Sequence, residues 1–323
     1  MGHLLDGIWT DSETLTEHKD GRYVKQPSRF RHWIKSDGST PFRPETNRYS
    51  LYWSMACPWA HRTALMRVFK KLEDVIAIYP TEQDPDGRGW YFADGPHEVP
   101  GSDIRINFLY ELYTLADPHC TTRVTVPTLW DSETQSVVNN ESSEIIRMFN
   151  TEFSELVPET TDFYPSDLSV EIDELNNMIL EGINNAVNAC GRSTSQTAYD
   201  RSLNILFKTL DELDARLQDR RYLFGDVLTE ADLRLFPTLV RFDAIYYLGY
   251  KCNLRTLNQF PNLSNYTRDI YQMPGVAAVS IVEDIKRQIY SKAGPIGGNG
   301  VVPGGPQLDF DRPHDRERLV RIA

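Results

Sequence analysis

The chain has 323 residues, 40% hydrophobic and 25% charged, which is the composition of a water-soluble globular protein too long for one ordinary core. Its 46 Asp and Glu outweigh 34 Lys and Arg, and the net charge of −12 argues against nucleic acid or an anionic membrane surface as a partner. No apolar run is long enough to span a bilayer, and the N-terminus turns acidic at Asp6 without the features of a signal peptide, so the expected location is the cytoplasm.

Residues 1–45 are polar, with scattered aromatics such as Trp9, Phe30 and Trp33, and read as an arm wrapped over the body. A buried strand is expected over 49–54. After it, Ala60, Ala64, Leu65, Val68, Phe69 and Leu72 recur at helical spacing. Pro58 suits the first helical position, where its missing N–H has no partner to lose. Cys57 then stands at the N-cap, where backbone N–H groups and the macrodipole favour a negative sulfur. A free thiol ionises near pH ~8.5, and such a position lowers that by roughly 1 to 3 units. Cys57 is therefore a candidate reactive cysteine, with a structural role as the competing reading. His61, one turn later, reads as a packed or solvated side chain rather than a base.

Residues 75–79 read as a second strand closed by Pro80, and 81–104, dense in Asp, Gly and Pro, as a long inserted loop carrying Trp90. A helix is expected over 107–117. Val124-Thr-Val126 reads as strand up to Pro127, followed by Thr-Leu-Trp130, a turn at Asp131-Ser-Glu-Thr and the strand Ser136-Val-Val138. Asn139 to Ser143 then cap a helix with Ile145, Ile146 and Phe149 on its apolar face. The order β-α-β, α-β-β-α is that of thioredoxin, in which the proline after the third strand is commonly cis and faces the thiol. The expected fold is thus an α/β thioredoxin-like domain over 46–150, a linker over 151–167, an all-α domain over 168–292 and an irregular tail over 293–323. Within the all-α domain the helical periodicities run over 168–189, 198–217, 231–247 and 263–272. Thr229-Glu-Ala-Asp232 forms a capping box.

Four cysteines, Cys57, Cys120, Cys190 and Cys252, are widely spaced with no Cys-x-x-Cys pair, which argues against a zinc ribbon or dithiol motif. The last three read as small buried hydrophobes. No metal cluster, phosphate loop or Ser-His-Asp arrangement stands out. Glu141-Ser142 at a helix N-terminus can hold a zwitterionic amino-acid end: Glu141 pairs with an ammonium, while Ser142 and the helix amides take a carboxylate. Extended backbone at Val126 can pair with a peptide-like ligand, and Arg123 can meet a further carboxylate. Taken singly, an N-cap pair, an arginine and a loop tryptophan are ordinary structural features.

Together the motifs are specific. The chain resembles the xi class of glutathione transferases, the glutathionyl-hydroquinone reductases, through Cys57-Pro-Trp-Ala-His-Arg62, Gly89-Trp90, Arg123-Val-Thr-Val-Pro127 and Val138-Asn-Asn-Glu-Ser-Ser-Glu-Ile-Ile-Arg147. The likeness continues in Leu228-Thr-Glu-Ala-Asp-Leu-Arg-Leu-Phe236, Val240-Arg-Phe-Asp243, Lys251-Cys-Asn253 and Pro261-Asn-Leu263. The resemblance implies the glutathione transferase fold, a homodimer, no tightly bound cofactor and no metal, with glutathione or a related thiol as cosubstrate. It makes Cys57 the nucleophile and places thiol binding on Trp90, Arg123, Val126, Glu141 and Ser142. Tyr246 falls where a family tyrosine helps keep the cysteine ionised, and Tyr290 where a second one stands near the end of the last helix.

Two positions depart from the pattern. Asn188 stands where the family usually carries a tyrosine that donates a proton to the departing quinol carbon, leaving Tyr247 or Tyr199 as stand-ins. Ser291-Lys-Ala-Gly294 replaces a His-containing stretch. The implied activity is reduction of glutathionyl-hydroquinones. The alternatives are an omega-like thiol transferase or dehydroascorbate reductase, the same reaction with another small thiol, and a non-catalytic interaction module.

Overall fold

The computed structural model describes residues 2–11, 17–19, 22–24, 27–296 and 298–320. The expected arm and tail extend, at 1, 12–16, 20, 21, 25, 26, 297 and 321–323, outside the described residues. The chain forms two units. The first is Met1–Glu17, Lys25–Thr161 and Gln288–Val301; the second is His18–Val24, Asp162–Arg287 and Val302–Ala323.

Strands β1 (His3–Leu5) and β2 (Ile8–Thr10) make an antiparallel hairpin, and β3 (Glu17–Lys19) and β4 (Arg22–Val24) a further two-stranded sheet. The thioredoxin-like body follows: β5 (Tyr49–Trp53), α1 (Pro58–Phe69), β6 (Ala77–Pro80), two small hairpins, α2 (Leu109–Ala116), β11 (Thr128–Asp131), β12 (Ser136–Asn139) and α3 (Ser142–Thr151). The hairpins pair β7 (Glu82–Gln83) with β8 (Trp90–Tyr91) and β9 (His97–Glu98) with β10 (Arg105–Ile106). The main sheet has the order β12-β11-β5-β6. β5 and β6 are parallel, with Ser50 opposite Ala77, and β11 is antiparallel to both its neighbours, with Thr128 opposite Tyr52. Leu51, Leu129, Val137 and Val138 are fully buried in it. On α1, Ala60, Ala64 and Leu65, and on α3, Ile145, Ile146 and Phe149, form the apolar faces along which these two helices pack. Each of the larger side chains contributes about 1.5–3 kcal/mol by leaving water.

The third strand is corrected by one element boundary. Residues 124–126 are not strand; the ladder starts after Pro127. The physical reason is local competition. Thr128 Oγ1 donates to the Thr125 carbonyl at 2.7 Å, and the buried Tyr113 hydroxyl takes the same carbonyl at 3.0 Å, so this backbone is satisfied without a neighbouring strand.

The arm runs along the outer rim of β12. His32 N–H donates to the Val138 carbonyl at 2.9 Å, and Asn140 N–H to the Phe30 carbonyl at 3.1 Å. These bonds occupy polar groups that an edge strand otherwise leaves open.

The second unit is helical: α4 (Ser169–Ile179), α5 (Asn185–Arg192), α6 (Gln196–Arg216), α7 (Glu230–Leu239), α8 (Pro261–Tyr271) and the start of α9 (Val282–Ile289). The continuous helix expected over 168–189 is interrupted by a π-helical turn at Leu180–Asn184. Gly182 lies there, and a Cβ on it would stand 2.3 Å from the Thr209 hydroxyl, so only glycine admits α6 this close. The helix expected over 231–247 ends at Leu239, beyond Pro237, and a second π-helical turn spans Phe242–Tyr247. Helix α9 has no counterpart in the sequence periodicities above. The capping box is present: Thr229 N–H donates to Asp232 Oδ2 at 2.8 Å, while Leu223 N–H and Tyr266 Oη–H reach Asp232 Oδ1 at 3.0 and 2.8 Å. The tail is tied down by Arg316, buried and donating to the carbonyls of Leu217, Arg220 and Arg221 just beyond α6.

Candidate active site

Cys57 is the N-cap of α1, with extended backbone (φ −87°, ψ 114°) and Pro58 following it at the first helical position. Its thiol is half-buried and donates to the Val126 carbonyl at 3.4 Å. The peptide between Val126 and Pro127 is cis. The sulfur lies at a helix N-terminus, a position that favours an anion. His61 is fully buried, with its N–H on the Cys57 carbonyl at 3.0 Å, in agreement with the packed reading.

The segment opposite Cys57 is held from behind. Tyr113 Oη lies 2.9 Å from Thr128 Oγ1 and 3.2 Å from Asn140 Nδ2, and burial pushes its phenol pKa up, so it stays a neutral hydrogen-bonding hub. Asn140 Nδ2 also reaches Thr125 Oγ1 at 3.2 Å. One buried side-chain network therefore links the Val126 segment to the N-terminus of α3.

At that N-terminus Glu141 is the N-cap residue, and its own N–H donates to Asn139 Oδ1 at 2.7 Å. Ser28 Oγ donates to Glu141 Oε2 at 3.0 Å, so the arm delivers a hydroxyl onto this carboxylate. Ser142 is 3% exposed, and its hydroxyl has no hydrogen-bond partner among the described residues. A buried orphan hydroxyl costs about 1–3 kcal/mol unless a ligand takes it. Beside the free N–H groups of a helix start it is suited to a carboxylate.

Trp90 is buried at the start of β8, opposite Gln83 of β7. The turn before it is fixed by Asp84, whose carboxylate accepts from the N–H groups of Asp86 and Arg88 and from the Arg88 guanidinium. Burial works against that charge, but the bonds from Arg88 prevail and hold the carboxyl below its usual range. Gly89 has φ +92°, and a Cβ there would stand 2.7 Å from the Trp9 ring. Arg123 is half-buried between Thr122 and Val124. Tyr290, directly after α9, is buried in the first unit, and Gln288 beside it accepts from Ser54 Oγ at 2.9 Å, two residues past β5's Tyr52.

Tyr246 belongs to the second unit, buried in the π-helical turn, with its carbonyl accepting from Tyr250 and Cys252 N–H. Of the positions near the Asn188 departure, Asn188 Nδ2 donates to the Asn184 carbonyl at 2.9 Å and Tyr199 Oη to the Lys251 carbonyl at 2.6 Å. Tyr199 is thereby committed to the backbone. Tyr247 is half-buried.

Comparison with known proteins follows the same division of the chain. Residues 56–152 match the glutathione S-transferase N-terminal domain and residues 196–269 the glutathione S-transferase C-terminal domain. Glutathionyl-hydroquinone reductase YqjG of Escherichia coli (strain K12) is 43% identical over 98% of this chain and 99% of its own length. This chain belongs to the xi-class glutathione transferases, the glutathionyl-hydroquinone reductase family. Among solved structures, the xi-class enzyme of Natrialba magadii superposes with a TM-score of 0.89 at 40% identity, covering 99% of this chain and 98% of that one. The glutathione-bound structure of YqjG superposes with 0.86 at 41% identity over 97% and 99%.

For a xi-class chain, the site contains groups that sequence reasoning passed over. Ser28 sits in an aperiodic arm and gives no local signal. Asn139 and Asn140 read as strand-ending residues, yet their side chains orient Glu141 and the Val126 segment. The doubled Asn before the Glu141-Ser142 cap was the available hint.

Proposed function

We propose that this chain reduces glutathionyl-hydroquinones to hydroquinones, using glutathione as cosubstrate and Cys57 as nucleophile. The Cys57 thiolate attacks the glutathionyl sulfur of the aryl thioether. The carbon–sulfur bond breaks, the ring carbon takes a proton, and a Cys57–glutathione mixed disulfide forms. A second glutathione thiolate attacks that disulfide, releasing glutathione disulfide and restoring Cys57. In net terms the glutathionyl group of one aryl thioether and one free glutathione thiol become one disulfide, and the ring carbon gains the hydrogen.

The observation that carries the reading is the pairing of a half-exposed thiol at the N-cap of α1 with an unclaimed buried hydroxyl at Ser142. In this reading Glu141 takes the ammonium of the glutathione γ-glutamyl group, and Ser142 with the α3 amides takes its carboxylate. Val126 pairs with the cysteinyl backbone, Arg123 meets the glycyl carboxylate, and Trp90 covers the tripeptide. By family resemblance, Tyr246 is the tyrosine that helps keep the cysteine ionised and Tyr290 the second such tyrosine. Support comes from the activity for which the E. coli relative is named and from the glutathione-bound structure of that protein. The protein is read as a cytoplasmic homodimer, which sedimentation analysis tests directly.

The test is turnover of a purified glutathionyl-hydroquinone with reduced glutathione, followed by chromatography. Cys57→Ala is expected to lose roughly 10³-fold or more in kcat/KM; equal rates for the two proteins overturn the role of Cys57. Exchange on small mixed disulfides without release of free quinol points instead to an omega-like thiol transferase.

A further inference from the structure

Trp9, on β2 of the N-terminal hairpin, meets the turn that leads into Trp90. A Cβ on Gly89 would stand 2.7 Å from the Trp9 ring and one on Gly2 2.5 Å from it, so glycine alone admits the indole at both places. The ring stacks on Tyr110 of α2 with centroids 4.9 Å apart, and Tyr110 stacks on Phe108 at 5.2 Å. The Arg88 guanidinium lies over the Phe108 ring, 4.8 Å from its centroid. The stack therefore starts on Arg88 and returns to the next residue, Gly89. Inside the same turn the Asp84 N–H donates to the Gly89 carbonyl at 2.8 Å. The backbone that carries Trp90 is thus gripped from within and from the hairpin.

The hairpin is also bonded to the chain just before Arg123. Leu4 N–H donates to the Thr122 carbonyl at 2.9 Å, and Thr122 N–H to the Leu4 carbonyl at 3.0 Å. Gly7 N–H reaches the Cys120 carbonyl and Asp6 N–H the Thr121 hydroxyl, both at 2.9 Å. Leu4 pairs with Trp9 across the hairpin, so one register sets both attachments. Every residue of this assembly belongs to the first unit. A hairpin that only sealed a core would bury its apolar side chains, yet Leu5 is 53% and Ile8 73% exposed.

We propose that the β1–β2 hairpin is a brace that fixes the Trp90 turn and the Arg123 segment for the glycyl end of glutathione, with Trp9 as the positioning residue. The inference rests on the reading of Trp90 and Arg123 as glutathione contacts. Trp9 touches no ligand in this account. It acts by keeping the turn in one place, because a tripeptide that needs both segments binds only the molecules in which both are set. Without the indole, Gly89, at φ +92° and with no side chain, has nothing beyond the Asp84 bond to hold it. The turn then opens more often, and the cost falls on the glycyl end of the thiol rather than on the γ-glutamyl end held at α3.

Full-length wild type, Trp9→Ala and Trp9→Phe are compared by calorimetric binding of two probes, glutathione and γ-glutamylcysteine, which lacks the glycyl carboxylate. Trp9→Ala is expected to bind glutathione about 10-fold more weakly and γ-glutamylcysteine no more than about 2-fold more weakly. In turnover the KM for glutathione should rise while kcat at saturation stays within about 2-fold of wild type. Trp9→Phe keeps a ring for Tyr110 but reaches less far toward Gly89, and should fall between the two. Amide exchange over residues 84–91 without ligand is expected to quicken in Trp9→Ala. Equal losses for the two thiols, an unchanged glutathione affinity, or unchanged exchange in the turn each overturn the proposal. A wild type that binds neither thiol refutes the glutathione reading itself, and the brace with it.

Discussion

A sulfur that begins a helix and a hydroxyl that begins another account for most of what this site can do, because both places expose backbone N–H groups with no partner inside their helices. Ser142 is the sharper probe of the two. Its hydroxyl is buried and unclaimed among the described residues, so its value appears only when a carboxylate arrives. A hydrogen bond to a charged group is worth about 1.5–3 kcal/mol, and Ser142→Ala is therefore expected to raise the KM for glutathione roughly 10- to 100-fold. Thermal stability should stay near wild type, since no intramolecular bond is lost. Calorimetric binding of glutathione to the two proteins decides the matter, and equal affinities would remove Ser142 from the ligand's contacts. At this scale the residues legible in the sequence were those whose role is set by neighbours in the chain, such as Cys57 before Pro58 and Glu141 before a helix. Ser28 was illegible because its partner, Glu141, is distant in sequence and the arm between carries no period.

The inserted region shows the same contrast at the level of elements. Its Gly, Pro and Asp content marked 81–104 as a loop, but its order comes from pairings that composition does not encode. Phe92, two residues beyond Trp90, stacks on His97 with ring centroids 4.5 Å apart, and His97 Nε2 lies 2.9 Å from Tyr52 Oη of the central sheet. Burial holds the His97 imidazole below its ordinary value, against the pull of Glu98. The folded protein therefore binds fewer protons here than the unfolded chain does. The stabilisation is present above about pH 6.5 and is lost as pH falls through that value toward the folded one. Amide exchange over residues 90–99, corrected for intrinsic rates, is expected to quicken between about pH 7.5 and about pH 5.5, and His97→Phe to flatten that dependence. A wild-type profile as flat as the variant's would show that this imidazole does not anchor the loop. Elsewhere, periodicity located α1, α3 and α6 because each presents an apolar face to the core of its own unit. It overran at 180–184 and 240–247, where Gly182 and Pro237 replace regular hydrogen bonding with π-helical turns. It missed α9, which spans only 282–289, although Val282, Ile285 and Ile289 recur there at helical spacing and the two isoleucines are buried.

Over the whole molecule, the order of strands and helices was readable because thioredoxin-like topology follows from a short list of connections, and full-length likeness to xi-class chains confirms it. What lies outside such a list is how the termini are used. Arg316 secures the tail by taking carbonyls at the end of α6, a role invisible in an irregular segment. The arm does something similar at the other end, and it does two jobs with neighbouring residues. Residues 30–32 fill the rim of β12, and Ser28 points its hydroxyl at Glu141. Deleting residues 1–33 should then weaken glutathione binding several-fold and, at the same protein concentration, produce higher-order species in light scattering. A truncated protein that stays monodisperse and binds as tightly as the parent would refute both halves.

Placing the hydroxyl and the rim-filling strand so close together has an evolutionary corollary. A lineage that loses residues 28–32 surrenders the protected rim of β12 and the hydroxyl on Glu141 in one step. Changes in the spacing between Ser28 and His32 should accordingly be rare among related chains.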